Sequence, residues 1–363
     1  MSLGLYLHLP FCRVHCSYCP FAISTDLAQQ EGYVEALLRE IDAAPRARVE
    51  TIYLGGGTPS RTAVDLHGRV MARLEERFDV AADAEISMEA NPEDVTRESV
   101  AAWRAMTVNR ISIGVQSFHD AELAAIGRIH GRERAIEAIQ LAVASGVRTN
   151  LDLILGLPGQ TVDSFRDTLG QAIALGAGHV SLYMLDLEEK TPLQVQVERG
   201  RVTLPDDEFV PARYLAAVET LEADGLHQYE VSNFARAGEE CRHNLRYWTR
   251  GEYHGFGLGA HSFLGARRFA NTRDIRRYIE LAPHALDFTE DLGADEVRRE
   301  TIFLRLRQTA GIDYEVIAQL CGQEGIEWIE RGLREEWLRR EGGRVALTPA
   351  GFLHSNDYIS QLF

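Results

Sequence analysis

YLHLPFCRVHCSYCPF, residues 6–21, carries three of the five cysteines of this 363-residue chain, Cys12, Cys16 and Cys19. A short apolar run leads into them, and Phe21 stands where a fourth member of the series would fall. Crowding of this kind in a reducing compartment points to a metal or catalytic site and away from a disulfide framework. Structural zinc asks for four ligands, commonly as two separated pairs. Three thiolates spaced C-x3-C-x2-C on one loop suit a 4Fe–4S cluster with one iron left free of protein ligands. The open iron is then the functional corner, where a substrate or cofactor binds. Cys321 is isolated and reads as a small buried hydrophobe, while Cys241 is less settled.

Outward from this loop the chain has a rhythm. Six apolar runs, LGLYLHL, TIYLGGG, EISMEAN, RISIGVQS, TNLDLILGLPG and HVSLYMLDL, alternate with stretches whose apolar residues recur every three or four positions. Near-continuous apolar strands alternating with amphipathic helices predict a parallel sheet covered by helices. Six βα units fit an α/β fold of partial TIM-like (βα)6 barrel type. Such barrels build their sites from the loops at the strand C-termini. Those ends carry the cysteine loop, residues 55–58, Glu89, Gln116, Asp152 with the following GLPGQ, and Asp186. The barrel is expected over residues 1–235 and a connecting segment without helical periodicity over 236–285. A mostly helical, winged-helix-like domain, serving for packing or as a lid, is expected over 286–363.

The composition, 45% hydrophobic and 25% charged, is that of an ordinary globular protein. A net charge of −16, with Lys190 the sole lysine, argues against a phosphate backbone as partner. No apolar run approaches the ~20 residues that span a bilayer. The first residues, MSLGLYLHLPFC, have neither the basic region nor the cleavage site of a signal peptide, so a cytoplasmic protein is expected.

C-x3-C-x2-C after a first strand, with Tyr18 just before the last cysteine, resembles the signature of the radical S-adenosylmethionine (SAM) superfamily. The resemblance implies a cluster on Cys12, Cys16 and Cys19 that chelates SAM at its open iron. It also implies that Gly56, Gly57 and Thr58 of GGGTPS lie along the SAM amino group. Glu89, Gln116, Arg128 and Asp152 fall where the porphyrin-related branch contacts SAM, and Tyr6 of Y-x-H-x-P-F-C matches that branch. Taken singly, each of these residues is an ordinary solvated loop or turn residue. GFGLGAHS, by contrast, has no βαβ frame around it and is not a nucleotide-binding loop.

The likeness narrows to the HemN-related family, which unites the oxygen-independent coproporphyrinogen III dehydrogenase with a heme chaperone, and covers nearly the whole chain. Phe21 replaces the last cysteine of the dehydrogenase pattern C-x3-C-x2-C-x-C, and little room is left for that enzyme's N-terminal extension. HNLRYW, residues 243–248, resembles the HNxxYW motif associated with heme. It implies His243 as an axial ligand, with Tyr247 and Trp248 against the macrocycle. From the residues alone, His243 reads equally as a hydrogen-bonded core corner, and His254 and His261 are rivals. Cys241 is either a plain substitution or a second heme contact.

The implied function is a heme chaperone that hands heme to an acceptor such as a membrane-bound respiratory cytochrome. The implied company includes an electron donor such as a flavodoxin or ferredoxin and a peripheral place at the membrane through a partner. Nucleic acid is not among the expected partners. Whether the chain also acts as an enzyme stays open. The rivals are the dehydrogenase itself, decarboxylating propionates by hydrogen abstraction, and a radical SAM enzyme acting on RNA.

Overall fold

In the computed structural model, which describes residues 2–187 and 189–363, six strands lie parallel in sequence order. They are β1 (Ser2–Leu9), β2 (Arg48–Gly56), β3 (Asp79–Ala90), β4 (Arg110–Gln116), β5 (Arg148–Leu155) and β6 (His179–Met184). Between them run α1 (Gln30–Ala43), α2 (Val64–Arg77), α3 (Arg97–Ala105), α4 (Asp120–Ala125), α5 (Arg132–Ala144) and α6 (Val162–Ala174). Thr96 and Thr161 start α3 and α6, each in a reciprocal capping box with the serine three residues on. This is the expected partial barrel.

The strands differ from the expected apolar runs in one respect that matters for the site. Leu5, Leu7, Ile52, Leu54, Ile86, Met88, Ile111, Ile113, Leu151, Leu153, Val180 and Leu182 join the helices in a single buried core. The alternate residues are polar and meet one another inside the barrel. Asn150 Nδ2 donates to Ser112 Oγ at 2.5 Å and Ser181 Oγ at 3.0 Å, and Ser112 Oγ donates to Asp152 at 2.9 Å. A strand places successive side chains on opposite faces. Tyr, Ser and Gly at the alternate positions pass for apolar filler in the sequence, yet they build a polar interior.

After β6, the helices α7 (Pro192–Glu198) and α8 (Phe209–Ala223) precede β7 (His227–Gln228) and β8 (Asn233–Ala235); β8 pairs antiparallel with β6, and β7 antiparallel with β8 at the edge. The short helix α9 (Arg242–Trp248) then leads to β9 (Tyr253–Phe256), which returns to the far edge and pairs parallel with β1. Next come β10 (His261–Leu264), β11 (Arg267–Asn271), α10 (Ile275–Leu281) and β12 (Leu286–Asp291). The sheet therefore reads β12-β11-β10-β9-β1-β2-β3-β4-β5-β6-β8-β7 and does not close on itself. Residues 236–285 are thus no mere connector: β9 to β11 extend the main sheet, and β12 belongs with them.

The C-terminal part comprises α11 (Ala294–Arg305), β13 (Ile312–Asp313), α12 (Tyr314–Arg334), β14 (Leu338–Glu341), β15 (Arg344–Leu347), α13 (Pro349–Leu353) and α14 (Ser355–Ser360). Gly322, at φ 58°, breaks α12 in two. Helix, strand, two helices and a hairpin make the expected winged-helix-like arrangement, with sheet order β13-β15-β14. It docks through Gln308 Nε2, which donates to Trp248 O at 3.0 Å, and through Val231 N, which donates to Arg307 O at 3.0 Å. Among the described residues, no helix is long and apolar enough to cross a membrane.

Candidate cluster and cofactor site

The C-terminal ends of β1 to β6 open onto a cavity of about 490 Å3. Cys12, Cys16, Cys19, Gly56, Gly57, Thr58, Glu89, Gln116, Arg128, Asp152 and Asp186 all line it. The cysteine loop is pinched at its neck, where Cys12 N donates to Ser24 O at 2.9 Å and Ser24 N to Pro10 O at 2.8 Å. Phe11 is fully buried there, edge-on to Tyr33 at 5.4 Å. On its far side Ser17 N donates to Ile126 O, and Leu193 N donates to Ser17 O. Three elements distant in sequence therefore hold one short loop in place.

The glycines serve the loop before they serve any ligand. A Cβ on Gly57 would lie 2.5 Å from the Pro10 carbonyl carbon, and one on Gly56, at φ 107°, would enter the His8 ring. Only glycine lets the end of β2 come this close. Gly57 N then donates to Leu9 O at 3.0 Å and Thr58 N to Phe11 O at 3.0 Å, and Thr58 Oγ1 reaches Cys12 Sγ at 3.3 Å. Burial pushes the Cys12 thiol up to about 11, against the Thr58 hydrogen bond, and burial also raises Cys19.

Buried polar groups surround the thiols. Arg128 Nη2 donates to Asn91 Oδ1 at 2.8 Å and to Gly114 O at 2.5 Å, and Nη1 lies 3.8 Å from Cys16 Sγ. Its Nε, like Glu93 Oε2, is buried with no hydrogen-bond partner among the described residues, although His130 Nδ1 stands 3.7 Å from that carboxylate oxygen. Glu89 accepts from Tyr53 Oη at 2.9 Å and from Gly56 N at 3.1 Å. Burial, and then the charge of Asp152, push Glu89 up to about 7. Burial likewise raises Asp152 despite its bonds to Ser112 and Asn150. Gln116 ends β4 at φ 66°, a left-handed conformation unusual for a residue with a side chain and typical of functional sites.

No three His, Cys, Asp or Glu side chains among the described residues converge as single-ion ligands. Three thiols that share a cavity without converging fit a multi-iron cluster, because each thiolate takes a different iron. Arg128 Nε and Glu93 Oε2, which make no hydrogen bond, leave polar capacity for a charged cofactor beside them. Asn91, which holds Arg128 and also donates to Thr58 Oγ1 at 3.3 Å, was not singled out in the sequence. Its only signal there is its place just after β3.

Other expected site residues lie elsewhere. Tyr6 sits below the cavity, with its hydroxyl 3.2 Å from His8 Nδ1 and its ring stacked on Tyr53 at 6.3 Å. His243 and Tyr247 lie at the opposite end, where α9 closes the barrel floor. His243 is fully buried, with Nδ1 2.9 Å from Thr51 Oγ1 and Nε2 2.8 Å from Tyr247 Oη. Its backbone N–H donates to Glu85 Oε1 at 3.0 Å, and its ring stacks on Tyr53 at 5.3 Å. Burial holds it down at about 3, so it is neutral. Iron coordination by either ring nitrogen requires one of these hydrogen bonds to break. Trp248 is half-buried at the C-terminal junction. Cys241 Sγ donates to the buried Glu85 Oε1 at 3.4 Å, and burial raises the thiol to about 12.

The model of the radical SAM superfamily matches residues 6–172, and that of the HemN C-terminal domain matches residues 292–354. The chain is 40% identical to the heme chaperone HemW of Escherichia coli, over 98% of this chain and 97% of that protein. It is 37% identical to HemW of Mycobacterium tuberculosis, over 99% and 94%, and 36% identical to that of Bacillus subtilis, over 97% and 97%. Among solved structures, coproporphyrinogen III oxidase (HemN) of Escherichia coli superposes with a TM-score of 0.86 over 99% of this chain and 90% of that one. At 24% identity that likeness speaks for the fold alone. With similarity of this degree running from end to end, the chain belongs to the HemW family of the radical SAM superfamily.

Proposed function

We propose that this protein is a heme chaperone that holds a 4Fe–4S cluster on Cys12, Cys16 and Cys19, binds SAM at the iron they leave open, and passes heme to a protein acceptor. The observation that carries the cofactor reading is the meeting of three thiols, the GGGT turn, Glu89, Gln116, Arg128 and Asp152 around one cavity. Cys241 and Cys321 stand outside it, so the chain offers three thiolates there and not four. The heme reading rests on membership of the family. When bound, the cluster and SAM supply one-electron chemistry.

The protein's share is position and electrostatics. Thr58 Oγ1 and Arg128 Nη1 point donors at the Cys12 and Cys16 sulfurs, which favours the thiolate a metal requires. Glu89 offers a carboxylate to an ammonium group, and Asp152 offers one to ribose hydroxyls. The acceptor would be a respiratory cytochrome at the membrane, reached from the cytoplasm, with a flavodoxin or ferredoxin supplying electrons.

The test is anaerobic reconstitution with iron and sulfide, followed by spectra of the reduced protein with and without SAM. Hemin transfer to an apo-cytochrome comes next. Four irons per chain, a SAM-dependent change in the reduced spectrum and heme transfer are expected. Conversion of coproporphyrinogen propionates to vinyl groups at useful rates would sink the chaperone reading. tRNA binding that collapses with added salt would instead favour an RNA substrate, and the net charge of −16 speaks against it.

A further inference from the structure

We propose that Asn91 is a positioning residue for the cluster. Its side-chain amide turns the Thr58 hydroxyl hydrogen onto Cys12 Sγ, holds the Arg128 guanidinium beside Cys16 Sγ, and so raises the reduction potential. The inference rests on the cluster reading and adds what tunes it. Arg128 Nη2 donates to Asn91 Oδ1 at 2.8 Å. A guanidinium has hydrogens to give and no lone pair to offer, so the amide atom that faces it is the carbonyl oxygen. The amide nitrogen therefore faces the other way. Its two hydrogens meet Thr58 Oγ1 at 3.3 Å and Glu93 Oε1 at 3.3 Å.

This settles the Thr58 hydroxyl. Oγ1 accepts from Asn91, and a hydroxyl carries a single hydrogen. That hydrogen goes to Cys12 Sγ, 3.3 Å away. A group at position 91 that could only accept would draw it off the sulfur. The second arm works through a rigid plane. Arg128 Nη2 is tied to Asn91 Oδ1 and to Gly114 O at 2.5 Å, so the planar guanidinium presents Nη1 to Cys16 Sγ at 3.8 Å. One amide thus governs donors at two of the three sulfurs.

The amide is not needed to hold the chain here. Asn91 N donates to Ser60 Oγ at 3.2 Å and Asn91 O accepts from Asp94 N at 3.0 Å, which fixes the backbone independently. The side chain spends its bonds on Thr58, Glu93 and Arg128, and all four residues line the cavity of the cysteines. Hydrogen bonds to cluster sulfurs are among the factors that set cluster potentials. Donors favour the reduced state, which carries the additional negative charge.

A redox titration of the anaerobically reconstituted full chain, followed by electron paramagnetic resonance, tests this with Thr58→Val, Asn91→Asp, the two combined, and Asn91→Leu. Thr58→Val should lower the potential, with a change of about tenfold in the reduced-to-oxidised ratio, about 59 mV for one electron. In Asn91→Asp the carboxylate still accepts from Arg128 but also takes the Thr58 hydrogen, so adding Thr58→Val there changes little. That comparison cancels the charge of the new carboxylate. A deuterium-exchangeable proton coupling, seen by electron–nuclear double resonance in the reduced unchanged protein, should vanish in both Thr58→Val and Asn91→Asp. Asn91→Leu adds no charge and should lower the potential even in the Thr58→Val background, because the Arg128 arm is freed as well. An equal drop from Thr58→Val with and without Asn91→Asp overturns the inference. So does an unchanged potential in Asn91→Leu with four irons per chain in place, and this variant decides if Asn91→Asp assembles no cluster. A chain that holds no 4Fe–4S cluster before any substitution overturns the cofactor reading and this inference together.

Discussion

At the mouth of the barrel, Cys12, Cys16 and Cys19 share a cavity with Glu89, Asp152 and Arg128. At its floor, Glu85, Arg110, Cys241 and His243 are just as polar and more deeply buried. The floor is mostly settled within the protein, with Arg110 Nη1 and Ser87 Oγ the atoms there that lack a hydrogen bond among the described residues. Arg110 Nε donates to Glu85 Oε2 at 3.2 Å, and Nη2 donates to Glu239 O at 2.9 Å and to Glu240 O at 3.1 Å. Cys241, His243 N and both His243 ring nitrogens are bonded as well. At the mouth, single long contacts reach the sulfurs, and Arg128 Nε and Glu93 Oε2 are left over. The same residue types act as fastening at one end and as a site at the other. The two ends differ in the degree of that pairing, and a buried polar group without a partner is costly unless a ligand supplies one.

The largest effect that tests this contrast is all-or-none. Replacing Cys12, Cys16 or Cys19 by alanine should abolish the cluster, read as iron and sulfide content after reconstitution, while Cys241→Ala should keep it. A cluster lost in Cys241→Ala alone would erase the distinction. Next comes Glu85→Ala, which strands the buried Arg110 guanidinium and should cost ~3–5 kcal/mol in urea unfolding. A cost well under 1 kcal/mol would mean the floor is not a fastening.

His243→Ala should destabilise the chain by about 1–3 kcal/mol for each buried hydroxyl it leaves unpaired, those of Thr51 and Tyr247. If stability is unchanged and only heme binding falls, the floor has a ligand role after all.

The smallest effect concerns pH. Glu89 stands near 7 in the folded chain, so it is mostly protonated below that value and a carboxylate above it. SAM affinity should therefore rise by roughly tenfold between about pH 6 and 8, and Glu89→Gln should flatten the profile. The same raised value stabilises the unliganded fold fully below the ordinary carboxyl range, an advantage lost as pH rises through about 7. Equilibrium dialysis of SAM at stepped pH reads the first effect, and urea unfolding the second.

Much of the mouth was legible because its signals are local. The cysteine spacing sits within a single loop, and each βα unit carries its own periodicity. Glu89, Gln116 and Asp152 stand out simply as polar residues at strand ends. The extension β9–β12 was hidden: strands of four to six residues have no period long enough to read. The polar interior was hidden too, since Tyr53 and Ser112 resemble the apolar residues that flank them until the pleat separates the faces.

His243 shows the division most clearly. HNLRYW can be read as a motif, but its ring nitrogen pairs with Thr51, 192 positions away. By its own local pattern the chain set six parallel βα units and three thiolates on one loop with no fourth beside them. Folding alone decided which polar side chains would be consumed by one another and which, like Arg128, would keep bonding capacity for something else. Burial and hydrogen bonding are properties of contacts between distant segments, and a linear order of residues does not contain them.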